Sequence, residues 1–458
     1  MPTSSAESLT NAHAIGTFIA DTHDRSIPPE VLNAARLCLA DWLAVGLGAA
    51  EEPAGRIVRE TVARWSSSGS ASLLFGGTAA APFAALANGT LAHCLDFDDT
   101  YVDAVTHTSA PVWAATLALG EETGVTAPEM LSAFVTGFEV AARVGHGLGQ
   151  AVTARGWHGT GVFGRIGAAA ASAALLRLTA TEARNAIALA ATQTSGLTAS
   201  FGTMAKPFHA GKAAMDGILS AQLAAGGFTG ASSLMEAGGG LDNAVIQDNS
   251  LAIVPVTFAP DDWRILRNSF KPYAACHLIH PAIDAARSLL ADGIDRTAIR
   301  SVQADVGALA LQVTGGTGGH PDTALAGKFD LRYCVALALH GHDVSAADFR
   351  EPWSLDPGIA ETAARVAVRH DPAMGFASAV LAINAGGDIH TAHIPIAKGH
   401  PGNPMGWEDM ASKFQGLTDP VLGNRGGAVM DLLRRFGEPA TLPELRGVLA
   451  TLSPAGTA

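Results

Sequence analysis

Lysine is rare in this chain, and two of its six lysines fall in one short stretch, SFGTMAKPFHAGKAAMDG. In this stretch Lys206 and Lys212 flank His209. An ammonium group binds carboxylates and phosphates, and an imidazole exchanges protons near neutral pH. Because the chain carries a net charge of −13, an anionic substrate needs a locally positive pocket of this kind. The stretch favours an anion-binding or proton-transfer site, with the solvated start of a helix as the alternative.

The segment SFKPYAACHLIHPAIDAA repeats the combination of Lys-Pro, an aromatic residue and histidine, with Lys271, His277 and His280. Two histidines three residues apart can bind a metal on one helix face, but no H-E-x-x-H pattern or third ligand accompanies them. We therefore expect no metal here. A further segment, AGKFDLRYCVALAL, places Tyr333 in the first turn of an apolar helix. For the neighbouring Arg332, a solvated position in that turn is the expectation.

Acidic residues and histidines are grouped in the segment NGTLAHCLDFDDTYVDAVTHTSAPVW. If LAHCLDFDDT is helical, Asp96 and Thr100 lie one turn apart and share a face with His93. His107 follows in a turn-rich part of the segment. Polar groups clustered beside an apolar run need partners, which favours a functional role for Asp96 and His107. The remaining acids are expected to cap the C-terminus of the helix: Asp98, Asp99 and Asp103.

The segment GWHGTGVFGRIGAAAA has the G-x-G-x-x-G spacing of a dinucleotide-binding loop, at Gly159, Gly161 and Gly164. The sequence predicts no buried strand before this segment and no strand ending in Asp or Glu after it, so an NAD-dependent oxidoreductase is a remote alternative. A loop that enters a closely packed helix fits better, and free N–H groups at such a helix end attract anions. His158 lies at this end. The sequence contains no P-loop pattern and no G-x-S-x-G elbow.

Composition narrows the class of protein. At 458 residues, two domains are expected, and 48% hydrophobic against 16% charged residues indicates a folded enzyme with part of its surface buried in an oligomer. The strong negative charge disfavours nucleic acid and anionic membranes as partners. Four scattered cysteines form no disulfide framework and no zinc or iron–sulfur ligand set. The first 25 residues lack a signal-peptide pattern, so we expect a cytoplasmic protein.

The order of the elements predicts two domains. Up to about residue 265 the sequence reads as successive helices, two of which begin with capping-box patterns at Thr126 and Thr179. After residue 270, four short segments with β-branched residues and some alternation surround one apolar helix. Two further helices, at 407–414 and 426–436, are expected to return to the first domain. The expected fold is mainly α: a large α-helical domain over residues 1–268, completed by residues 400–458, and a smaller α+β domain over residues 269–399.

In these segments the chain resembles the MmgE/PrpD family, which includes 2-methylcitrate dehydratase, cis-aconitate decarboxylase and iminodisuccinate epimerase. Six pieces match in the family's order and span residues from about 85 to 415. They are NGTLAHCLDFDDT, GWHGTGVFGRIGAAAA, SGLTASFGTMAKPFHAGKAA, KPYAACHLIHPAIDA, GKFDLRYCVALAL and NPMGWEDMASKF. Together they are specific to the family but not to one member.

The resemblance implies a helical domain with a smaller α+β lid domain, a homodimer, a site between the domains, and chemistry without a metal or organic cofactor. It also implies which residues face the pocket. The catalytic set is His107, His158, Lys206, Lys271 and Tyr333, and the substrate-binding set is Asp96, Thr100 and His280. His209 and Lys212 are expected to be helix-start or supporting residues. Two positions depart from the family pattern, since Thr108 and Gly159 stand where proline is common.

The reactions of the family share removal of a proton beside a carboxylate and stabilisation of the resulting carbanion by positive charge. Lys206 and Lys271 are the natural carboxylate clamps, and His107 or His158 is the base or acid. Tyr333 would protonate a leaving hydroxyl, with Asp96 orienting a histidine. The sequence therefore predicts a cofactor-independent lyase, with dehydration of a 2-methylcitrate-like acid as the first choice. The alternatives are a cis-aconitate-type decarboxylase, an iminodisuccinate-type epimerase and, more remotely, a non-catalytic scaffold.

Overall fold

A computed structural model of the chain separates into two compact units. The first comprises residues 1–269 and 410–458, and the second comprises residues 270–409. The structure describes residues 11–65, 68–232, 234–235, 240–247, 255–316, 318, 320–349 and 357–453.

The described helices are numbered along the chain. They are α1 (Asn11–Ala20), α2 (Pro29–Gly48), α3 (Pro53–Arg64), α4 (Ala81–Leu91), α5 (Ser109–Thr123), α6 (Ala127–Gly145), α7 (Gly149–Ala154), α8 (Gly159–Leu175), α9 (Ala180–Ala191), α10 (Ala205–Ala225), α11 (Leu241–Ile246), α12 (His280–Ala291), α13 (Ala308–Thr314), α14 (Ala324–Lys328), α15 (Leu331–Leu339), α16 (Pro357–Ala364), α17 (Trp407–Leu422), α18 (Gly426–Arg434) and α19 (Thr441–Ala450). The described strands are β1 (Ala71–Ser72), β2 (Thr78–Ala79), β3 (Ile299–Val306), β4 (Val366–His370), β5 (Ala379–Ala385) and β6 (Asp388–Ile394).

Helix α8 forms the centre of the first unit, and every one of its residues is buried. It packs against α5, α6, α9 and α10. Its glycines and alanines make this possible because small side chains let helix backbones approach closely. The starts of two of the surrounding helices follow from the sequence, since Thr126 with Glu129 and Thr179 with Glu182 form the expected capping boxes at α6 and α9.

The second unit is built on a four-stranded sheet in the order β4-β3-β5-β6. Strand β3 pairs parallel with β4 and antiparallel with β5, and β5 pairs antiparallel with β6. Helix α12 packs against β5 and β6, and α15 packs against α12. Every second residue of β5 is buried, as its alternating sequence predicts. The predicted fold class, mainly α with a smaller α+β part, is confirmed.

The predicted helix over LAHCLDFDDT is wrong. Helix α4 ends at Leu91, and the next nine residues form turns and an irregular segment, residues 92–100, which we call the acidic turn. Asp96 lies here with φ +53°, in the left-handed region that a helix cannot use. Asp96 and Thr100 therefore do not share a helix face. The physical reason is that both Asp98 and Asp99 are buried. Asp98 accepts from His93, five residues earlier, and Asp99 accepts from the distant Asn268, a pairing that a regular helix would prevent.

Helix α2 is long and apolar enough to cross a membrane, as judged by its length and composition. In the structure 72% of its apolar window is buried within the protein. Its residues pack against α4, α5, α6 and α18. Helix α2 is therefore a core helix of the first unit.

Close packing of α8 on α10 leads to a stability prediction. A Cβ atom on Gly217 of α10 would lie 2.5 Å from the Ala168 Cβ and 2.7 Å from the Ala168 carbonyl carbon of α8. Gly217→Ala should therefore lower the free energy of unfolding by roughly 1–3 kcal/mol through overpacking. The matched control is Gly447→Ala in α19, where a Cβ would meet nothing within 4 Å. It should raise stability by roughly 0.5–1 kcal/mol. Urea unfolding measures both, and equal shifts would contradict the close approach of α8 and α10.

Candidate active site

The centre of the candidate site is the carboxylate of Asp98, which is buried in the acidic turn. His93 donates from Nδ1 to this carboxylate at 2.9 Å, and Nδ1 of His107 lies 3.2 Å from its Oδ2. Burial alone would raise the pKa of Asp98, but His107 and His93 hold that pKa well below its usual range. Burial also lowers the pKa of His93, so this ring is a neutral donor at neutral pH. Asp98 therefore fixes both imidazoles through one ionised group.

Lys206 contacts the same group of residues through Asp96. Its Nζ lies 2.7 Å from Oδ1 of Asp96, and Nε2 of His107 lies 3.5 Å from the same oxygen. The Lys206 side chain is only 14% exposed and lies over the ring of Phe201 at 5.1 Å. An ammonium has three N–H donors, so the contact with Asp96 leaves two for another acceptor. This arrangement can hold the carboxylate of a substrate.

A second pair of imidazoles adjoins this group. Nδ1 of His158 lies 3.1 Å from Nδ1 of His209, and the His158 ring stacks on His93 at 5.6 Å. The Phe201 ring meets His158 edge-on at 4.9 Å. Burial, with His93 and Lys206 nearby, lowers the pKa of His158 well below its usual value, and burial lowers that of His209 to about 4. Both rings are therefore neutral at physiological pH.

Three of these side chains lie at or just before the N-termini of helices. His107 lies two residues before α5, His158 immediately precedes α8, and Lys206 is the second residue of α10. The backbone N–H of His107 donates to Oγ1 of Thr160 in the first turn of α8 at 3.0 Å, which ties two of these starts together. The dipole of each helix start favours negative charge. Their field adds to that of Lys206 and suits an anionic substrate.

Asp99, the neighbour of Asp98, anchors the acidic turn from its other side. Its carboxylate accepts from Ser109 Oγ and from Asn268 Nδ2, both at 2.5 Å, and its backbone N–H donates to Asp41 at 2.9 Å. Burial, followed by the nearby charge of Asp41, raises the pKa of Asp99 to about 7. Adjacent carboxylates therefore have different functions, since Asp98 binds the histidines and Asp99 holds the turn.

Lys413 of α17 neutralises this buried acidic network. Its Nζ donates to Asp41 Oδ1 at 2.6 Å and to the Phe97 carbonyl at 2.7 Å, and it lies 4.0 Å from the Phe97 ring centroid. Residues far apart in sequence are joined here, because Lys413 comes from the last part of the chain. The contact fixes the backbone of the acidic turn directly between Asp96 and Asp98.

The backbone before His107 is held by close contact with α8. Val105 has φ +49°, an unfavourable conformation for a β-branched residue, and its carbonyl points at Gly159. A Cβ on Gly159 would lie 2.4 Å from that oxygen. Glycine at this position therefore permits the Val105 conformation, which in turn leads into His107.

Four of these side chains also form a group with the ligand types that metals use. His93, Asp96, Asp98 and His107 each offer a donor atom, and these atoms lie within 4.8 Å of one another. In the structure the Lys206 ammonium already neutralises Asp96, and imidazole nitrogens already face Asp98. This group therefore binds a cation only in competition with Lys206.

Three of the predicted site residues, Lys271, His280 and Tyr333, lie in the second unit. Lys271 is buried near its beginning, and His280 is fully buried, with Nε2 bonded to the Ala275 carbonyl at 3.1 Å. The Tyr333 hydroxyl donates to the Asp348 carbonyl at 3.3 Å, and burial raises the pKa of that hydroxyl. A catalytic or binding role for these three residues stays a prediction from the sequence.

Within the first unit, the structure brings together Asp96, His107, His158 and Lys206 through the contacts described above. Thr100 lies farther along the acidic turn, where its backbone N–H donates to the Ser269 carbonyl at 2.8 Å. The sequence predicted that Asp98 and Asp99 cap a helix C-terminus, and this was wrong because α4 ends at Leu91, Asp98 is buried against His93, and Asp99 accepts from the backbone N–H of Ser109 at the start of α5. It likewise misplaced Asp103, which lies in a short 3₁₀ segment rather than at a helix C-terminus.

Two more contributors, His93 and His209, were not among the predicted catalytic or substrate-binding residues, although His209 was expected to be a helix-start or supporting residue. Each lies close to a predicted site residue, three before Asp96 and three after Lys206 respectively, and this proximity was the available signal. Lys212, by contrast, pairs with Asp216 on the same helix.

Comparison with known proteins places both parts of the chain in one family. The model of the MmgE/PrpD N-terminal domain matches residues 13–253, and that of the MmgE/PrpD C-terminal domain matches residues 273–432. This confirms the resemblance inferred from the six sequence segments.

Several curated relatives share one name. The cis-aconitate decarboxylase-like protein oryM of Aspergillus oryzae is 28% identical over 362 residues, which cover 74% of this chain and 75% of the relative. The cis-aconitate decarboxylase of Mus musculus is 26% identical over 363 residues, covering 74% and 72%. That of Homo sapiens is 33% identical over 214 residues, covering 45% and 44%.

The role of Asp98 can be tested by Asp98→Asn, which keeps the shape and removes the charge. Unpairing His93 and His107 should lower the free energy of unfolding at pH 7 by on the order of 3 kcal/mol. Because the pKa of Asp98 is lower in the folded than in the unfolded state, wild type gains this stability above the unfolded pKa of about 3.9. The advantage of wild type should therefore shrink as the pH falls below about 5.

The matched control is Asp103→Asn, since the Asp103 side chain is 45% exposed. Its effect should stay within about 0.5 kcal/mol at every pH. Unfolding curves at several pH values measure both variants. If the two variants showed the same small, pH-independent effect, Asp98 would not be the ionised anchor of the site.

Proposed function

Because the chain belongs to the MmgE/PrpD family, we propose that it is a lyase that acts on a small tricarboxylate, with decarboxylation of cis-aconitate as its reaction. The observation that carries the proposal is the grouping of a lysine ammonium, a neutral imidazole and a histidine held between two carboxylates. Such a group binds an anion and supplies both charge stabilisation and a proton. The name shared by the relatives supports the choice of substrate.

The first step in this proposal breaks the carbon–carbon bond to one carboxylate, and carbon dioxide leaves. The electron pair shifts through the double bond and spreads onto a remaining carboxylate, which gains negative charge. Lys206 is positioned to stabilise this charge with the N–H donors that Asp96 does not use. His158, as a neutral imidazole, adds a hydrogen bond to the same anion.

The second step adds a proton to carbon, and His107 is the proposed donor. A protonated His107 ring has two N–H groups, which match Asp98 on one side and Asp96 on the other. After His107 gives up its proton, solvent restores it. One proton is consumed and one carbon dioxide is released in each turnover, which balances the reaction.

We place decarboxylation ahead of the dehydration that the sequence favoured. Dehydration requires an acid for the leaving hydroxyl, and Tyr333 was the residue proposed for that role. In the structure its hydroxyl is engaged with the Asp348 carbonyl, and burial raises its pKa. Decarboxylation does not need this group.

A substrate panel in D₂O, followed by NMR, tests the proposed function. The protein should convert cis-aconitate to a product that has lost one carboxylate and carries one deuterium on carbon. It should leave 2-methylcitrate unchanged, and a chelator should not alter the rate. Water loss from 2-methylcitrate would identify a dehydratase, and deuterium exchange alone would identify an epimerase-type reaction. Loss of activity in the chelator would show that a bound cation is needed.

The contribution of Lys206 can be measured with Lys206→Ala. Loss of the ammonium should lower kcat/KM for the accepted carboxylate by roughly 10²–10³-fold. The matched control is Lys212→Ala, six residues later on α10, where the ammonium pairs with Asp216 instead. Steady-state kinetics of the control should stay within about threefold of wild type. Equal losses in both variants would indicate damage to α10 rather than loss of a carboxylate clamp.

A further inference from the structure

The pair of imidazoles at the edge of the site, His158 and His209, has a feature that the proposed reaction has not used. The two rings meet through the same kind of atom, Nδ1 to Nδ1, at 3.1 Å. A hydrogen bond between two such nitrogens requires one to carry a hydrogen and the other a lone pair. The two neutral rings must therefore adopt opposite tautomers, and each ring determines the tautomer of the other.

The surrounding structure is built to hold this pair. Gly196 has φ +110°, and a Cβ at this position would lie 3.2 Å from the His209 ring and 3.6 Å from the Cβ of His158. Its carbonyl accepts the backbone N–H of His158 at 3.0 Å. The helices that carry the two rings are joined farther along by Arg165 of α8, which donates to Asp216 of α10 at 3.1 Å. The two rings therefore meet in a fixed geometry.

The electrostatic surroundings keep both rings neutral. His158 faces His93, His107 and Lys206, and His209 faces Arg165 in addition to His93 and Lys206. None of the described carboxylates lies within salt-bridge distance of either ring. A proton added to either ring would create a positive charge close to other positive or titratable nitrogen atoms, with no nearby carboxylate to stabilise it. A histidine in such a place acts through the hydrogen of a neutral ring rather than as an imidazolium.

We infer that His209 is a positioning residue that donates its Nδ1–H to Nδ1 of His158 and thereby fixes the hydrogen of His158 on Nε2. The inference rests on the proposed function, which requires His158 to donate a hydrogen bond to the anion formed in the reaction. With the opposite tautomer, Nε2 of His158 would present a lone pair to a negatively charged intermediate and would repel it. His209 therefore makes Nε2 of His158 a hydrogen-bond donor.

The substitutions His209→Asn and His209→Asp, whose new side chains have the same shape as each other, separate hydrogen-bond donation at this position from simple filling of space. The asparagine amide can replace the Nδ1–H donor, so kcat should stay within about fivefold of wild type. The aspartate can only accept, which places a hydrogen on Nδ1 of His158. Because its negative charge also favours a second hydrogen on Nε2, the comparison is made at about pH 9, where the ring stays neutral. His209→Asp should therefore lower kcat by roughly 10²–10³-fold, with KM changed by less than about threefold. His209→Ala fixes neither tautomer of His158, so its kcat should lie between those of the asparagine and aspartate variants.

Nitrogen-15 NMR of histidine-labelled wild-type protein gives a readout that does not depend on activity. At neutral pH it should show His158 protonated on Nε2 and His209 protonated on Nδ1. The opposite assignment, a charged ring in either residue, or equal kcat values for the asparagine and aspartate variants would overturn the inference. If the wild-type protein turned over no carboxylate but showed these tautomers, the proposed function would fail and the pairing of the two rings would stand.

Discussion

The burial of two adjacent carboxylates, Asp98 and Asp99, is the constraint on which the rest of the candidate site depends. Because successive side chains of the acidic turn point in different directions, one carboxylate holds His93 and His107 while the other holds the turn. Buried carboxylates are stable only when donors or cations surround them. Lys413, from the last part of the chain, pairs with Asp41, which in turn accepts the backbone N–H of Asp99. The site is therefore coupled to the packing of α17 against the first unit.

The sequence was sufficient for the fold class and for four residues of the group in the first unit. Helices such as α6 and α9 were predictable because capping boxes and apolar spacing act locally. Asp96, His107, His158 and Lys206 were identified through the family resemblance, and the contacts of the structure bring them together.

The acidic turn was not predictable, because its shape depends on contacts with residues far away in the chain. Local spacing in LAHCLDFDDT favoured a helix, but the requirement to satisfy Asp98 and Asp99 outweighed it. Asp99 bonds to Asn268, and Lys413 reaches the Phe97 carbonyl, so the partners lie 169 and 316 residues away. The same limit applied to His209, whose partner His158 is 51 residues distant. No local pattern reports such pairings.

One departure from the family pattern has a physical explanation. Gly159 stands where proline is common in the family, and the structure places the Val105 carbonyl in the space that a side chain would occupy. The Val105 conformation therefore requires glycine at position 159. Val105 lies two residues before His107, and Gly159 directly follows His158. That contact shapes the backbone that leads to His107.

The most direct test of the account is a crystal structure of the protein with tricarballylate, a saturated tricarboxylate that lacks the double bond needed for reaction. We expect one carboxylate within about 3.2 Å of Lys206 Nζ and the ligand within hydrogen-bond distance of His158 Nε2. A ligand bound away from Lys206, or a metal ion held by His93, Asp96, Asp98 and His107 in place of the ammonium, would contradict it.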